Sequence, residues 1–380
     1  MANVIFSFSL LILIYIYGGY PFLAFLVSMV VNRMVNKSEY EPRVSILIAA
    51  HNEEEHIQKT IENKLSLQYS DQNLEIIVIS DGSDDNTDSI VEEYESRGVK
   101  LLKQYPRSGK TAALNMAVPI THGEIIVFSD ANSLYESDAI KVLVQNFSDP
   151  TVGYVTGKMI YVNSGDSPIG DGCTAYMKYE NVLRRIETRL GSVVGVDGGI
   201  DAVRKNLYET MNPDQLPDFV LPLHVVERGY RVVYEPQAVL REHTLKDSGD
   251  EYKMRVRVSL RALWALSDMR SLLSFKKHRL FAWQLWSHKV LRYMSFVFLI
   301  GAYLSNLFLW GENVFYKLFF VVQNTVLFSA VMYPSIEKKG YKLRVLNLMR
   351  YFVVINLASA YAFLKFIFRQ KQVTWTPRKG

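Results

Sequence analysis

The sequence has little cysteine, little net charge and no internal repeat, and each shortage excludes a class of protein. Its one cysteine among 380 residues, Cys173, can form neither an internal disulfide nor a zinc cluster, which suits a domain in the reducing cytosol. The 43 basic and 38 acidic residues leave a net charge of +5, too weak for a protein that coats nucleic acid. Because 49% of the residues are hydrophobic, a disordered chain is also excluded.

Charge is also missing from both ends of the chain. No charged side chain precedes Arg33, and residues 4–31 are long enough for a helix that crosses a bilayer. A cleaved signal peptide, the alternative, would have a basic start and a shorter apolar stretch. Residues 293–311 and 318–336 are uncharged and long enough to span, and 351–368 form a weaker candidate interrupted by Lys365.

The flanks of these stretches differ in charge. The basic residues Arg33 and Lys37 follow the first stretch. Between the third and fourth stretches lie Lys338, Lys339, Lys342 and Arg344. The loop at Glu312 is acidic. By the positive-inside rule the long central segment is cytosolic, and we expect a multi-pass protein of the plasma (inner) membrane. A fourth crossing would place the basic residues 369–380 outside, so the side of the C-terminus stays open.

The central segment alternates between strand-length apolar runs and helical patterns. The predicted strands are 44–50, 74–80, 99–104 and 124–129, and the predicted helices are 54–67, 86–96 and 110–117. Runs that are apolar throughout indicate strands covered on both faces, so we expect an α/β fold with a mostly parallel sheet and flanking helices.

The chain divides into five predicted regions. They are an N-terminal transmembrane helix (1–32), an α/β domain (33–250), amphipathic interfacial helices (251–290), three candidate C-terminal transmembrane helices (291–368) and a basic tail (369–380).

Polar residues follow the predicted strands, where ligands of parallel sheets bind. Glu53 follows the first strand and Asp81 the second, where its carboxylate can meet a nucleotide; residues 83–87 can equally serve as helix caps. Asp130 and Asn132 follow the fourth strand, two apart on extended backbone, a spacing suited to a hard divalent ion. The alternative for that pair is a cap for a helix that begins near residue 137.

Lys110 stands at the start of a predicted helix, where it can attract a phosphate or lie in solvent. A nucleoside-triphosphatase loop is disfavoured, because Gln104 stands where the first glycine of that motif belongs.

Taken in order, these motifs resemble the family 2 glycosyltransferases of the GT-A fold over about residues 43–265. The segments that carry the resemblance are 49–54 (AAHNEE), 81–83 (DGS), 108–110 (SGK), 113–115 (ALN) and 130–132 (DAN). With one apolar stretch before them and several after, the chain resembles the membrane β-glycosyltransferases, which include hyaluronan, chitin-oligosaccharide, poly-N-acetylglucosamine and cellulose synthases.

The resemblance implies a nucleotide-diphosphate sugar as donor, a divalent metal (Mg²⁺ or Mn²⁺) and transfer with inversion. It implies that Glu53 and Asp81 contact the nucleoside, that Lys110 lies near the donor phosphates, and that Asp130 and Asn132 hold the metal. Asn132 departs from the family's second aspartate, and a neutral oxygen implies weaker metal binding.

The resemblance also implies a carboxylate that deprotonates the acceptor. The matching segment is 216–222 (LPDFVLP), where Asp218 is the candidate base. The alternative is a cap for a helix over 220–228.

A glycine-bearing loop follows at 194–199 (VGVDGG). In the family this loop lies under the acceptor sugar, so Gly195, Asp197 and Gly198 are implied to contact the acceptor. A turn before a strand at 200–203 is the alternative.

The last family element is a glutamine-arginine-tryptophan motif on an interfacial helix. Arg257, Arg261 and Trp264 lie on one helical face and are implied to bind diphosphate and stack on the acceptor. Leu260 and Leu263 stand where glutamine and a second arginine are expected. The alternative is an amphipathic helix lying on anionic lipid.

We therefore predict a membrane-bound inverting glycosyltransferase that uses a nucleotide-diphosphate sugar to synthesise or extend a cell-surface polysaccharide. The donor that we expect first is a UDP-sugar. Three further apolar segments favour a path for a growing polar chain. The alternative is a non-processive transferase that adds a single sugar to a lipid-linked acceptor. The predicted partners are the donor, a carbohydrate or lipid-linked acceptor and the bilayer, with no nucleic acid.

Overall fold

The computed structural model describes residues 1–162, 168–243, 248–338 and 343–372. The side chain of Cys173, the basic residues Lys339 and Lys342 and most of the basic tail lie outside the described residues. Eight strands form one sheet: β1 (Val44–Ala50), β2 (Leu74–Asp81), β3 (Val99–Gln104), β4 (Ile125–Asp130), β5 (Leu134–Tyr135), β6 (Val152–Val162), β7 (Ile200–Arg204) and β8 (Arg231–His243).

The sheet has the order β3-β2-β1-β4-β7-β6-β8-β5. Its first half is parallel, because β1 pairs with β2 and β4, and β2 pairs with β3, all in parallel. Its second half is mixed: β6 and β8 are parallel, whereas β7 is antiparallel to both β4 and β6, and β5 is antiparallel to β8. The predicted α/β class is confirmed. The antiparallel half was not predicted, since a buried strand is apolar throughout in either direction.

Helices cover both faces of the sheet and continue into the apolar ends. They are α1 (Ala2–Ile14), α2 (Tyr20–Val31), α3 (Ile57–Leu65), α4 (Thr87–Glu92), α5 (Lys110–Ala117), α6 (Ala139–Val144), α7 (Pro168–Leu190), α8 (Pro217–Glu227), α9 (Ser248–Asp268), α10 (Phe275–Leu285), α11 (Leu291–Tyr293), α12 (Ser295–Leu309), α13 (Val314–Lys338) and α14 (Arg344–Ile367). One core layer packs α3, α4 and α6 on the sheet, and the other packs α5, α8 and α9 on the opposite face.

Within the described residues, three helices are long and apolar enough to cross a membrane, or four if a bent pair counts as one span. The first, Ala2–Val31, joins α1 and α2 through a π-helical turn at Tyr15–Gly19. The bent pair is Phe275–Tyr293 with Ser295–Leu309, at 55°. The remaining two are α13, of which Val314–Ile336 qualifies, and α14. All four predicted apolar stretches therefore fall in helices.

The start of α1 lies beside the turn between α12 and α13. Asn3 donates to Glu312 at 3.4 Å, and the Tyr316 hydroxyl donates to Asn3 at 3.0 Å. These residues lie far from the sheet domain, which follows Val31 at the other end of the first span. The acidic loop at Glu312 and the N-terminus therefore share one end of the helical bundle.

Helix α14 runs alongside α9, and α9 packs on the sheet domain through its other face. The contacts join Tyr351 to Arg255, Ala358 and Ala362 to Val256 and Leu260, and Phe366 to Trp264. Beyond the end of α14, Lys371 pairs with Asp214, which precedes α8. Both halves of α14 therefore lie against α9.

Candidate active site

A cavity of about 320 Å³ lies at the carboxyl ends of β1 and β4. We call outer wall the side formed by the residues after these strands and by α8 and α9. We call inner wall the side formed by α7, by the turn Trp286–Val290, and by α12 and α14. Parallel strands present their carboxyl ends at one edge, so residues far apart in sequence meet here. Of the predicted residues, those that line this cavity are Glu53, Lys110, Asp130, Asn132, Gly195, Asp197, Asp218, Arg257 and Arg261.

Lys110 lies between two carboxylates at the centre of the outer wall. Its Nζ donates to Asp130 Oδ1 at 2.7 Å and lies 3.9 Å from Asp218 Oδ1. Burial disfavours the charge of Lys110, but the charges of Asp130 and Asp218 outweigh it and raise the pKa of the lysine above its ordinary value. Lys110 is therefore a fixed positive charge in contact with two acids.

Asp218 is the second residue of α8, after Pro217, and keeps 30% of its side chain exposed. The N-cap of α8 is Leu216, without a side-chain cap bond, so the alternative that Asp218 caps this helix is wrong. Gly198, at φ +85°, lies directly against the carboxylate, and a methyl group there would overlap Asp218. This glycine is required for Asp218 to reach the cavity.

Asp81 is fully buried and does not line the cavity in the described structure. Its Oδ1 accepts from the Ser108 backbone N–H at 2.8 Å and from Gln104 Nε2 at 2.5 Å, and its Oδ2 accepts from the Gly109 N–H at 3.0 Å. The carboxylate therefore holds the loop that leads into Lys110.

The loop that carries Glu53 is bonded to the segment after β2. The Glu53 backbone N–H donates to Thr87 Oγ1 at 2.8 Å, and the Glu54 N–H donates to Asp85 Oδ2 at 3.1 Å. Asp85 also accepts from the Thr87 N–H at 2.9 Å. The polar run 83–87 thus has a structural role, and the side chain of Glu53 is the part of this region that faces the cavity.

The turn from Asp130 to Asn132 is fixed from behind by α3. Thr60 Oγ1 donates to the Ala131 carbonyl at 2.6 Å, and Lys64 Nζ donates to the Ser133 carbonyl at 2.6 Å while lying 3.4 Å from the centre of the Tyr135 ring. Burial lowers the pKa of Lys64 well below its ordinary value. Sequence reasoning missed Lys64, since it stands among residues that read as an ordinary helix.

Asp130 offers carboxylate oxygens and Asn132 an amide oxygen, ligands that suit a hard divalent cation. The N-cap of α6 is Asp138, so Asn132 is not the cap that the alternative required. Among the described residues no group of three His, Cys, Asp or Glu side chains surrounds a metal position. Ligands from a bound molecule would have to complete any metal shell.

Asp197 is closed off by a buried ion pair. Its Oδ1 lies 2.6 Å from Arg184 Nη1, with both side chains at most 4% exposed, and its Oδ2 accepts from the Met159 backbone N–H at 3.2 Å. Burial raises the pKa of Asp197 despite the arginine. Arg184 Nε also donates to the Gly195 carbonyl at 3.0 Å, so the pair shapes the whole glycine loop.

Asp201, on β7, lies beneath this loop and was not predicted. It is buried and accepts from the Gly198 backbone N–H at 2.8 Å. Burial, together with the charges of Asp218 and Asp197, raises the pKa of Asp201 to about 7. The sequence signal that could have identified Asp201 is its position as the one acidic residue in the otherwise apolar run 200–203.

The three residues of the helical-face motif separate in the structure. Arg257 and Arg261 both line the cavity, and Arg261 also donates to the carbonyls of Pro213, Asp214 and Gln215 at 2.8–2.9 Å and so holds the segment before α8. Trp264 lies away from the described cavity lining. Its Nε1 donates to the Gln370 carbonyl at 2.9 Å, and its ring packs on Phe366 at 4.7 Å.

A second charged cluster closes the inner side of the cavity and was also missed. His288 lies between two glutamates of α7, 3.2 Å from Glu180 and 2.7 Å from Glu187. Arg292 pairs with Glu180, and the Tyr20 hydroxyl of the first span donates to Glu187 at 2.6 Å. The cluster joins the first span, α7 and the bent helix. Its members are far apart in sequence, so spacing gave no signal.

Comparison with known proteins agrees with this geometry. Residues 45–210 match the family model described as glycosyl transferase family 2. Poly-β-1,6-N-acetyl-D-glucosamine synthase of Staphylococcus epidermidis is 26% identical over 376 residues, which cover 90% of each chain. Probable glycosyltransferase YdaM of Bacillus subtilis is 26% identical over 299 residues, which cover 73% of this chain and 68% of that one.

A solved structure shares the fold of nearly the whole chain. It is the mannosyltransferase PcManGT of Pyrobaculum calidifontis, in complex with GDP-Man and Mn²⁺, with a TM-score of 0.72 and 20% identity over 96% of this chain and 99% of that one. The mixed sheet, the order of the motifs and the matched family model lead to one assignment: residues 45–210 form a glycosyl transferase family 2 domain, and the chain is a glycosyltransferase of the GT-A fold.

Proposed function

We propose that this glycosyltransferase is membrane-bound and extends a cell-surface polysaccharide. It takes the sugar from a nucleotide-diphosphate donor, for which a UDP-sugar is our first choice, and inverts the anomeric configuration during transfer. The observation that carries the proposal is Lys110 between Asp130 and Asp218 in a cavity that reaches the apolar helices. The Staphylococcus relatives named as poly-β-1,6-N-acetyl-D-glucosamine synthases support a polymer as product and UDP-N-acetylglucosamine as the first donor to test.

The chemical step follows from the two acids. Asp218 accepts the proton of an acceptor hydroxyl, and the oxygen forms a bond to the anomeric carbon as the bond to the diphosphate breaks on the opposite face. A positioned base contributes a factor of about 10²–10⁴. Lys110 holds a positive charge beside the departing diphosphate, and Arg257 of the cavity wall adds a second.

Asp130 and Asn132 would hold the divalent metal, Mg²⁺ or Mn²⁺. When bound, such a metal neutralises negative charge on the diphosphate. Glu53 faces the cavity and is the nucleoside contact that we propose. Asp81 acts on the nucleotide through the loop that it holds.

The five predicted regions remain our proposed division of the chain, with the α/β domain in the cytosol and the apolar helices in the plasma membrane. Asn3 and Glu312 lie together at the end of the bundle away from this domain, in agreement with an outside position. The contacts of α14 with α9 favour a helix that stays at the cytosolic surface and keeps the basic tail inside.

Single-cysteine variants test this topology, with Cys173→Ser as the background. A membrane-impermeant maleimide should label Gly311→Cys in intact cells and should label Gln372→Cys only after the membrane is opened. Labelling of Gln372→Cys from outside would show that α14 crosses.

A second candidate is a non-processive transferase that adds one sugar to a lipid-linked acceptor. Two observations favour it. Trp264, the expected stacking platform, packs on Phe366 instead of facing the cavity, and α14 lies along α9, which leaves fewer helices for a polymer path.

One assay tests the activity and separates the candidates. The purified protein in detergent is incubated with UDP-N-acetylglucosamine, UDP-glucose and GDP-mannose, each with Mg²⁺ or Mn²⁺ and membrane extract as acceptor. Nucleotide release and product mass are measured, with Asp218→Asn as control. A ladder of products supports the polymerase, one added sugar supports the second candidate, and no release above that of the control contradicts both.

A further inference from the structure

Lys289 lies at the inner wall of the cavity and plays no part in the chemistry above. It belongs to a π-helical turn, Trp286–Val290, of the kind often found at functional sites. Its ammonium lies against the backbone of Gly195, where any side chain would overlap it. The first glycine of the acceptor loop thus makes room for a positive charge.

Lys289 has no ion-pair partner within 4.0 Å in the described part of the chain. The two arginines that act on it are paired with acids: Arg184 with Asp197, and Arg292 with Glu180. The acids whose charges act on Lys289 from further away, Glu180 and Glu187, are bonded to Arg292 and His288. An unpaired charge next to low-dielectric walls is unfavourable unless a bound group compensates it.

Lys289 and the proposed base lie at the two ends of one short loop, residues 195–198. Gly195 contacts Lys289 and Gly198 contacts Asp218, and three residues of chain span at most about 11 Å. A molecule with a hydroxyl at Asp218 and an anionic group at Lys289 fits between them. Since Asp218 must remove a proton, the anion at Lys289 is not itself the attacking group.

We propose that the acceptor is a glycosyl phosphate, whose sugar hydroxyl meets Asp218 and whose phosphate is bound by Lys289. This inference rests on the proposed function and names its acceptor. Lysine binds phosphate as a point charge, and Tyr176 and Tyr293 line the same cavity. Ser295, Ile355 and Ser359 of the apolar helices continue the wall, so a lipid attached to the phosphate has a route to the bilayer.

The test compares acceptors that differ only in the phosphate. These are N-acetylglucosamine 1-phosphate, its farnesyl phosphodiester and methyl N-acetylglucosaminide. We expect wild-type kcat/KM to favour the phosphorylated sugars about tenfold or more, the scale of one charge-assisted hydrogen bond. Lys289→Gln should bring this ratio close to one, and Lys276→Gln, which removes an exposed lysine from the same helix, should preserve it.

Gly195→Ala is an independent route to the same result. Its methyl group displaces only the end of a flexible lysine, so the fold tolerates it while the phosphate preference falls. Equal preference for the soluble and farnesyl phosphates points to a soluble acceptor, and preference for the farnesyl form alone points to a lipid-linked one.

Two results would overturn the proposal: a wild-type protein indifferent to the phosphate, or a Lys289→Gln variant that keeps the preference. Calorimetric titration of the glycosyl phosphates measures the same difference without turnover. Phosphate-dependent binding without transfer from any donor would contradict the proposed function and leave the Lys289 site intact.

Discussion

The two charged ends of the cavity are built from the same residue types but are closed to different degrees. At the outer end Lys110, Asp130 and Asp218 keep 19–32% of their side chains exposed. At the inner end Arg184 and Asp197 are at most 4% exposed, and each is bonded to the other. A charged residue in a family motif can act on a ligand only where its partners leave one side open, so the outer end carries the chemistry and the inner end holds the wall.

The largest expected effect comes from neutralising the outer end. Asp218→Asn keeps the size of the side chain but removes the base, so kcat should fall by about 10²–10⁴. The measurement is nucleotide release with acceptor present. Donor binding, followed by calorimetry, should change little because the variant leaves Lys110 and Asp130 in place.

The contrasting result is a loss of donor affinity with kcat preserved. In that case Asp218 would belong to the donor site, and the outer end of the cavity would lack a general base. Asp214→Asn, four residues earlier in the same segment, controls for a change in local charge alone.

Breaking the inner end should affect stability more than chemistry. Asp197→Ala leaves Arg184 buried without its partner, a change that typically costs about 3–5 kcal/mol of unfolding free energy. Denaturant unfolding in detergent measures it, and Glu93→Ala, at an exposed position, should stay within about 0.5 kcal/mol. If Asp197 instead contacts the acceptor, the variant will be as stable as wild type and show a higher KM.

The sequence predicted the residues at the outer end of the cavity better than those at the inner end. Strand 44–50 and helix 110–117 match the structure because apolar runs and helix starts are local signals. Asp130 and Lys110 follow from these elements, since strand ends meet at one edge. The bond between Arg184 and Asp197 depends on how α7 packs against the glycine loop, and no local pattern records that packing.

Asp201 lies between the two ends and gives a pH test. Its pKa is raised to about 7 in the folded protein, against about 4 in an unfolded chain. The native state therefore holds a proton that the unfolded state releases, and this contribution to stability is lost as pH rises from about 4 through 7, by about 1.4 kcal/mol per pH unit. Asp201→Asn should flatten that decline in unfolding free energy, whereas Asp268→Asn, at an exposed position, should not. If the unfolding free energies of Asp201→Asn and of the wild type fell in parallel as pH rises, the raised pKa of Asp201 would be refuted.

The smallest expected effect sharpens the comparison by adding charge to the outer end. Asn132 gives the proposed metal a neutral oxygen, and Asn132→Asp replaces it with a carboxylate at the same point of the turn that Thr60 and Lys64 fix. Because added ligand charge tightens binding of hard cations, half-maximal activity should need less Mn²⁺, and direct Mn²⁺ titration by electron paramagnetic resonance should show tighter binding without turnover. Chelator should abolish the activity of both proteins. Full activity in chelator, or unchanged Mn²⁺ binding in the variant, would remove Asn132 from the metal site and leave Lys110 as the charge that stabilises the departing diphosphate.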